Sequence, residues 1–317
     1  MKAAQDVWTS RKLMDWMREA FTQRGVEQAR LCAELLLCHV LRCDRLRLFM
    51  DPDRPASLAE RDTLRAMAAR VIKGEPIQYI LGEWPFFGMT FGVDRRVLIP
   101  RPETELLVEH GLIALREMLG LNREHGVAGT VSAVAPVILD ACTGSGVVGI
   151  ALLKNLLRQA PSAVCIATDI DDAALDVARA NAARHGVGAS MRFLKTDGLS
   201  GLADLEEVRA AGGAHALTSN PPYIPDDEWE GVPAVVKDFE PHGALRGGAD
   251  GFAVAGPILR GAPEVLRPGG VLIVELAASR VEEGRRMAAS TGGYDRVQSV
   301  RDQFDRPRAV LATRASS

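Results

Sequence analysis

Apolar residues recur at helical spacing through the first 75 positions. Leu13, Trp16, Met17 and Ala20 form one stripe, and Ala29, Cys32, Leu35, Leu36, His39 and Val40 form a second. Thr9 or Ser10 can cap the first helix, and Gly25 ends it. Asp51-Pro52-Asp53 and Pro55 break the chain. Ser57 and Glu60 then have capping-box spacing before a third stripe of Leu64, Met67, Ala68 and Val71. The pattern predicts a small helical bundle over residues 1–75, with no catalytic constellation of its own.

The segment GEPIQYILGEWPFFGMTFGVDRRVLIP is rich in Gly, Pro, aromatic and β-branched residues. It predicts short strands in a hairpin, making 76–100 a connector. A helix is expected from Arg101-Pro102 to about Leu119, because Pro suits a first turn and Glu103 and Glu105 favour the helix N-terminus. Residues 120–136 lack periodicity and read as a loop insertion. From Val137 onward the pattern alternates. VILDAC reads as a buried strand and AVCIATDI, SMRFLKTD, HALTSN and GGVLIVEL as four further strands, with helices through about Leu157, from Asp172 to His185 and over 252–266. This predicts an α/β fold over 101–317, with a doubly wound, mostly parallel sheet.

Composition narrows the class. A length of 317 residues suits two domains, and 47% apolar with 25% charged residues excludes a disordered chain or a collagen-like repeat. The 38 basic and 41 acidic residues sum to −3, which disfavours a broad grip on a nucleic-acid backbone. A protein partner or a small ligand is expected instead. Five cysteines with no C-x-x-C pair point to reduced thiols and a cytoplasmic location. No Cys/His set completes a metal site beside Cys38-His39, so no metal is expected. The first twenty residues lack the apolar region of a signal peptide. No apolar run approaches the roughly 18 residues of a membrane span, so no membrane partner is expected.

Two motifs carry chemistry. The first is Asp140-Ala141-Cys142-Thr143-Gly144-Ser145-Gly146-Val147-Val148-Gly149, at a strand-to-helix junction, in which Gly144, Gly146 and Gly149 satisfy G-x-G-x-x-G. Asp169 ends the next strand, at the spacing of an acid that accepts hydrogen bonds from a ribose diol. Asp197 ends the third strand and faces the same crevice, where it can reach an adenine edge or cap a turn. These features indicate a nucleoside cofactor, either a nicotinamide dinucleotide or S-adenosylmethionine.

The second motif is Ser219-Asn220-Pro221-Pro222-Tyr223, after the fourth strand. Asn220 precedes a proline and is driven to extended geometry. The Asn220 side-chain oxygen and the Pro221 carbonyl are two acceptors, and Tyr223 adds a flat apolar face. Two acceptors and a face suit a planar –NH2 group on a carbonyl or an aromatic ring. Hydrogen bonds to both N–H bonds orient that nitrogen and stabilise the positive charge it gains on attack. No strong base is needed beforehand, since the proton becomes acidic after transfer.

The chain resembles the protein-(glutamine-N5) methyltransferases that modify class I peptide chain release factors, the HemK/PrmC family. The resemblance covers nearly the whole chain: ELLLCHVL, CDRLRLF, GEPIQYILG, FFGMTFGVDRRVLIPRPETE, the Gly-rich loop, SNPPYIP and FEPHGAL…GGADGF. It implies an S-adenosylmethionine-dependent enzyme that methylates the glutamine of a release factor's Gly-Gly-Gln loop. It further implies that Cys142, Thr143, Gly144, Ser145 and Gly146 wrap the methionine end of the cofactor. Asp169 would bind the ribose, Asp197 and Gly198 would lie beside the adenine, and Asn220, Pro221, Pro222 and Tyr223 would hold the substrate amide. Asn220, Pro221 and Tyr223 are the expected catalytic residues, with Asn220 also bordering the cofactor. The helical domain is expected to help dock the release factor. The enzyme is expected to act as a monomer, with no direct nucleic-acid contact.

The chain departs from the family pattern in places. Cys142 stands where Gly is usual, a feature shared with the sister enzymes that methylate ribosomal protein L3, whereas Pro-Glu-Thr-Glu at 102–105 matches the release-factor branch. Gly198 replaces an aromatic found in some relatives, and Glu275-Leu276-Ala277 lacks a frequent Gly. Arg101 and Glu103 are candidates for the mouth of the site or for a helix-start charge pair. Asp238, Glu240 and His242 are candidates for the substrate pocket or for a solvated loop. Three other functions use part of these features. They are an adenine N6-methyltransferase of nucleic acid, a nicotinamide oxidoreductase and a binding protein without chemistry.

Overall fold

The structure is a computed structural model and describes residues 7–121 and 135–316. Most of the expected insertion at 120–136 lies outside the described residues. The chain divides into two compact units, Met1–Glu83 and Trp84–Ser317.

The first unit is helical: α1 (Ser10–Gln23), α2 (Ala29–Leu41), α3 (Arg45–Met50), α4 (Leu58–Ile72) and α5 (Ile77–Leu81). Thr9 caps α1 by accepting from the Lys12 amide, and Gly25 follows its end at φ +69°. The capping box of Ser57 and Glu60 starts α4. Leu13, Met17 and Phe21 recur every four residues and are buried with Leu36, Leu37 and Leu64. Each such side chain contributes about 1.5–3 kcal/mol through burial. Residues 77–81 form a short helix where extended chain was expected, because Pro76 starts a turn that buries Tyr79 and Ile80.

The chain continues with a hairpin, β1 (Glu83–Phe86) and β2 (Met89–Gly92), turning through Phe87 and Gly88 at positive φ. A 3₁₀ turn (Pro102–Thr104) leads into α6 (Glu105–Met118). Then follow β3 (Val137–Ala141), α7 (Val147–Leu156), β4 (Val164–Asp169), α8 (Asp172–Arg184), β5 (Met191–Lys195), α9 (Glu206–Ala210), β6 (Ala214–Ser219), α10 (Ala234–Phe239), α11 (Ala255–Val265), β7 (Leu266–Glu275), α12 (Val281–Ala289), β8 (Tyr294–Arg301) and β9 (Pro307–Arg314).

Seven strands form one sheet in the order β5-β4-β3-β6-β7-β9-β8, and β3 to β7 are parallel. Ile138 of β3 packs into a core with α6 and α7, while Val137, Leu139 and Ala141 pack into a second core with α11 and α12. Strand alternation thus feeds both faces of a doubly wound sheet. The antiparallel β8 and β9 were not anticipated. Beside β7, β9 has a buried centre, but β8 is a polar edge strand whose weak hydrophobic signal reflects its half-exposed position.

Strand order reverses between β3 and β6, which places a crevice at their carboxyl ends. Ala141 pairs with Thr168 on one side and with Ser219 on the other, and Asp169 pairs with Lys195. The segments after β3, β4, β5 and β6 therefore emerge side by side.

Candidate active site

The Gly-rich loop is held from within by Asp140. Its buried carboxylate accepts from Thr143 Oγ1 at 2.6 Å, from the Gly149 amide at 3.1 Å and from Thr218 Oγ1 at 2.8 Å. Burial pushes this carboxyl up to about 6 despite those bonds. A Cβ at Gly149 would lie 2.9 Å from Asp140 Oδ2 and 3.0 Å from Cys165 Sγ, so glycine allows helix and strand to close. Cys142 takes φ +57°, the left-handed region that favours glycine. The Gly usual at this position thus has a backbone reason. Burial pushes the Cys142 thiol up to about 12.

Cys142, Thr143, Gly144 and Ser145 line a cavity of about 390 Å³, together with Asp169, Asp197, Gly198, Asn220 and Pro222. Gly146 caps α7 at φ +83° and is not among the lining residues. Asp169 Oδ2 accepts from the Gly144 amide at 2.9 Å and Oδ1 from the Asp171 amide at 3.1 Å, while burial raises its carboxyl above the ordinary range. Asp197 is exposed at the rim. Ile170 is 63% exposed and lines the same space with Ala174 and Val254, giving an apolar flank beside the acid.

A second cavity of about 680 Å³ is lined by Tyr223, Ile224, Pro225, Val232 and Val236 among others. Leu98, Arg101, Asn220 and Ala244 line both cavities, so the two spaces meet at Asn220. Pro221 is buried and is not a lining residue of either. Asn220 Nδ2 donates to Thr104 Oγ1 at 3.1 Å. Tyr223 OH lies 3.5 Å from Glu275 Oε1. Glu275 is 2% exposed, its Oε2 has no partner among the described residues, and burial pushes its carboxyl up to about 7. Burial and the Glu275 charge raise the Tyr223 phenol.

Of the other candidates, Glu240 is buried and pairs with Arg101, whereas Asp238 and His242 are exposed. Glu103 lines neither cavity and lies 3.5 Å from Arg308. Thr104 and Glu275 were not expected to take part. Thr104 sits inside the Pro-Glu-Thr-Glu segment that sequence reading marked as a whole. Each polar residue there reaches a different element: Glu103 to Arg308 of β9, Thr104 to Asn220, and Glu105 to the Phe87 amide at 2.7 Å.

Comparison with known proteins adds a family. A family model described as the PrmC N-terminal domain matches residues 12–82. The release factor glutamine methyltransferase of Chlorobaculum tepidum is 40% identical over 310 residues, covering 97% of this chain and 99% of that protein. The enzyme of that name from Geobacter sulfurreducens is 37% identical over 295 residues, covering 93% of each. Among solved structures, the hMettl16 catalytic domain in complex with the MAT2A 3'UTR hairpin 6 superposes with a TM-score of 0.51 at 12% identity. It covers 81% of this chain and 82% of that one, a likeness of fold alone. With near-full-length relatives of this kind and the helical unit matched separately, the chain belongs to the release factor glutamine methyltransferase family.

Proposed function

We propose that this enzyme methylates the side-chain amide nitrogen of the Gly-Gly-Gln glutamine in class I peptide chain release factors, with S-adenosylmethionine as methyl donor. The observation that carries this reading is the meeting of two cavities at Asn220. One suits a nucleoside, and the other is open enough for a peptide loop.

The residues of the first cavity fit the cofactor. Asp169 offers a carboxylate for a ribose diol, Ile170 and Val254 an apolar flank for adenine with Asp197 and Gly198 beside it, and Cys142 to Gly146 a backbone cradle at the start of α7. Bound there, S-adenosylmethionine supplies an electrophilic methyl group on a positively charged sulfur. On the protein side, Asn220 Oδ1 and the Pro221 carbonyl accept the two N–H bonds of the substrate amide. This orients the nitrogen and stabilises its developing charge. Pro222 and Tyr223 bound the space in which the amide lies.

The first unit helps to dock the release factor. Leu46, Phe49 and Met50 on α3 are 69%, 50% and 77% exposed, an apolar group that supports a protein partner. No helix among the described residues is long and apolar enough to cross a membrane. The enzyme acts as a monomer in the cytoplasm and makes no direct nucleic-acid contact.

The test is incubation with isotopically labelled S-adenosylmethionine and either a bacterial class I release factor or ribosomal protein L3, followed by peptide mass spectrometry. Label is expected on the Gly-Gly-Gln glutamine. Label on L3 alone, or on neither while calorimetry shows cofactor binding, would overturn the reading.

A further inference from the structure

A side-chain amide has two ends of nearly equal size and opposite hydrogen-bonding sense. For Asn220 the choice decides function. With Oδ1 toward the substrate it accepts an N–H bond, whereas with Nδ2 there it would meet donor with donor. Neither neighbouring proline has an N–H to enforce the choice.

Thr104 enforces it. This residue is 3% exposed, and its Oγ1 receives Asn220 Nδ2 at 3.1 Å. A hydroxyl has one proton, and Thr104 hydrogen-bonds the Glu275 side chain. An ionised carboxylate only accepts, so Thr104 must donate to Glu275 and has only acceptor capacity left for Asn220. The polarity of the carboxylate is thereby passed through one hydroxyl to the amide.

The hydroxyl is itself well placed for this. Thr104 ends a 3₁₀ turn whose neighbours are tied on both sides, Glu103 to Arg308 and Glu105 to the Phe87 amide. Glu275 is anchored as the last residue of β7.

We propose that Thr104 is a positioning residue of the reaction, holding the Asn220 amide with Oδ1 toward the substrate nitrogen by passing on the polarity of Glu275. The proposal rests on the functional reading above. It adds a residue that lines the cofactor cavity and acts on the substrate amide through Asn220.

The test uses the full chain at pH 8 with saturating release factor and S-adenosylmethionine. Thr104→Val is expected to lower kcat about 10- to 100-fold, the scale of a misplaced reacting group. KM and calorimetric affinity for the cofactor should stay within about twofold. Thr104→Ser should restore most of kcat. Thr104→Ala, which also removes the hydroxyl, serves if the valine variant fails to fold. In an Asn220→Ala background, Thr104→Val should cost nothing further, because the lost alignment no longer matters. An unchanged kcat in Thr104→Val, a serine variant as slow as the valine one, or the same factor lost in the Asn220→Ala background would each overturn the proposal.

A readout without substrate separates this from the functional reading. The Asn220 side-chain amide should show one proton protected from solvent exchange by NMR, and Thr104→Val should abolish that protection. If the wild-type enzyme transfers no methyl to release factor, the substrate assignment fails. The amide resonance still decides the role of Thr104, and unchanged protection in the valine variant counts against it.

Discussion

Arg101 and Glu240, 139 positions apart, are joined by a charged hydrogen bond of 2.5 Å, and the other oxygen of the same carboxylate takes the Ile99 amide at 3.0 Å. The pair fastens the segment before α6 to the loop after α10. Arg101 borders both cavities, and Pro241, Gly243 and Ala244 beside Glu240 line the first.

Removing this carboxylate leaves the Ile99 N–H without its partner. Glu240→Ala is expected to destabilise the protein by about 1–3 kcal/mol, read by denaturant unfolding, and to weaken binding of both substrates. Glu240→Gln keeps an acceptor for Ile99 and should lose less stability. Equal losses in the two variants would show that the Ile99 bond contributes little.

Asn220→Ala removes the acceptor at the junction of the cavities. Turnover should fall at least about 100-fold, comparable to loss of a preorganised donor or acceptor at a developing charge. Cofactor affinity by calorimetry should change little. A parallel loss of cofactor binding would contradict the role given to this residue.

Asp169 binds the Gly-rich loop through the Gly144 amide and faces the proposed ribose position. Asp169→Asn loses a charged acceptor, worth about 1.5–3 kcal/mol, so the cofactor dissociation constant should rise roughly 10- to 100-fold. Rate at saturating cofactor should move much less, which a kcat-against-KM comparison checks.

Glu275 carries a pH signature. Its carboxyl sits at about 7 in the fold against 4.5 when free, chiefly because burial penalises its charge. Between these values the folded chain holds a proton that the unfolded chain has lost, so stability falls as pH rises from about 4.5 to 7 and levels off above. The ceiling on this effect is about 3 kcal/mol, at roughly 1.36 kcal/mol per unit. Asp140, at about 6 against 3.8, acts in the same sense. Glu275→Gln should therefore show a shallower loss of melting temperature between pH 5 and 8 than wild type. Parallel curves would rule the assignment out.

Burial holds the Cys142 thiol at about 12, leaving roughly one thiolate in 10⁴ at pH 8. Alkylation of the native chain at that pH should spare Cys142, as peptide mass mapping after iodoacetamide treatment would show. Cys142→Gly should be tolerated because φ is already +57°, whereas Cys142→Val should lose stability, since a β-branched side chain is strained there.

Much of the molecule was legible in one dimension because its determinants are local. Capping residues, helical stripes and the five apolar strands each declare themselves within about fifteen residues, and the G-x-G-x-x-G run needs only its own turn and the helix behind it. Family motifs extended this to the expected cofactor and substrate segments, which follow strands that end side by side. The edge strand β8 was less legible, since a half-exposed polar strand has little hydrophobic signal.

The sequence by itself determined the order of elements and the doubly wound class, and it singled out the Asn-Pro-Pro-Tyr segment as the expected chemical centre. Only the tertiary structure decided how those residues are held. The Thr104 hydroxyl, the Glu275 carboxylate and the Asn220 amide come from three distant stretches, and so do Arg101 and Glu240. Nothing in the spacing of such residues reveals their contact. A hydrogen bond depends on ångström-scale approach and on which partner has a proton to give, and the fold sets both.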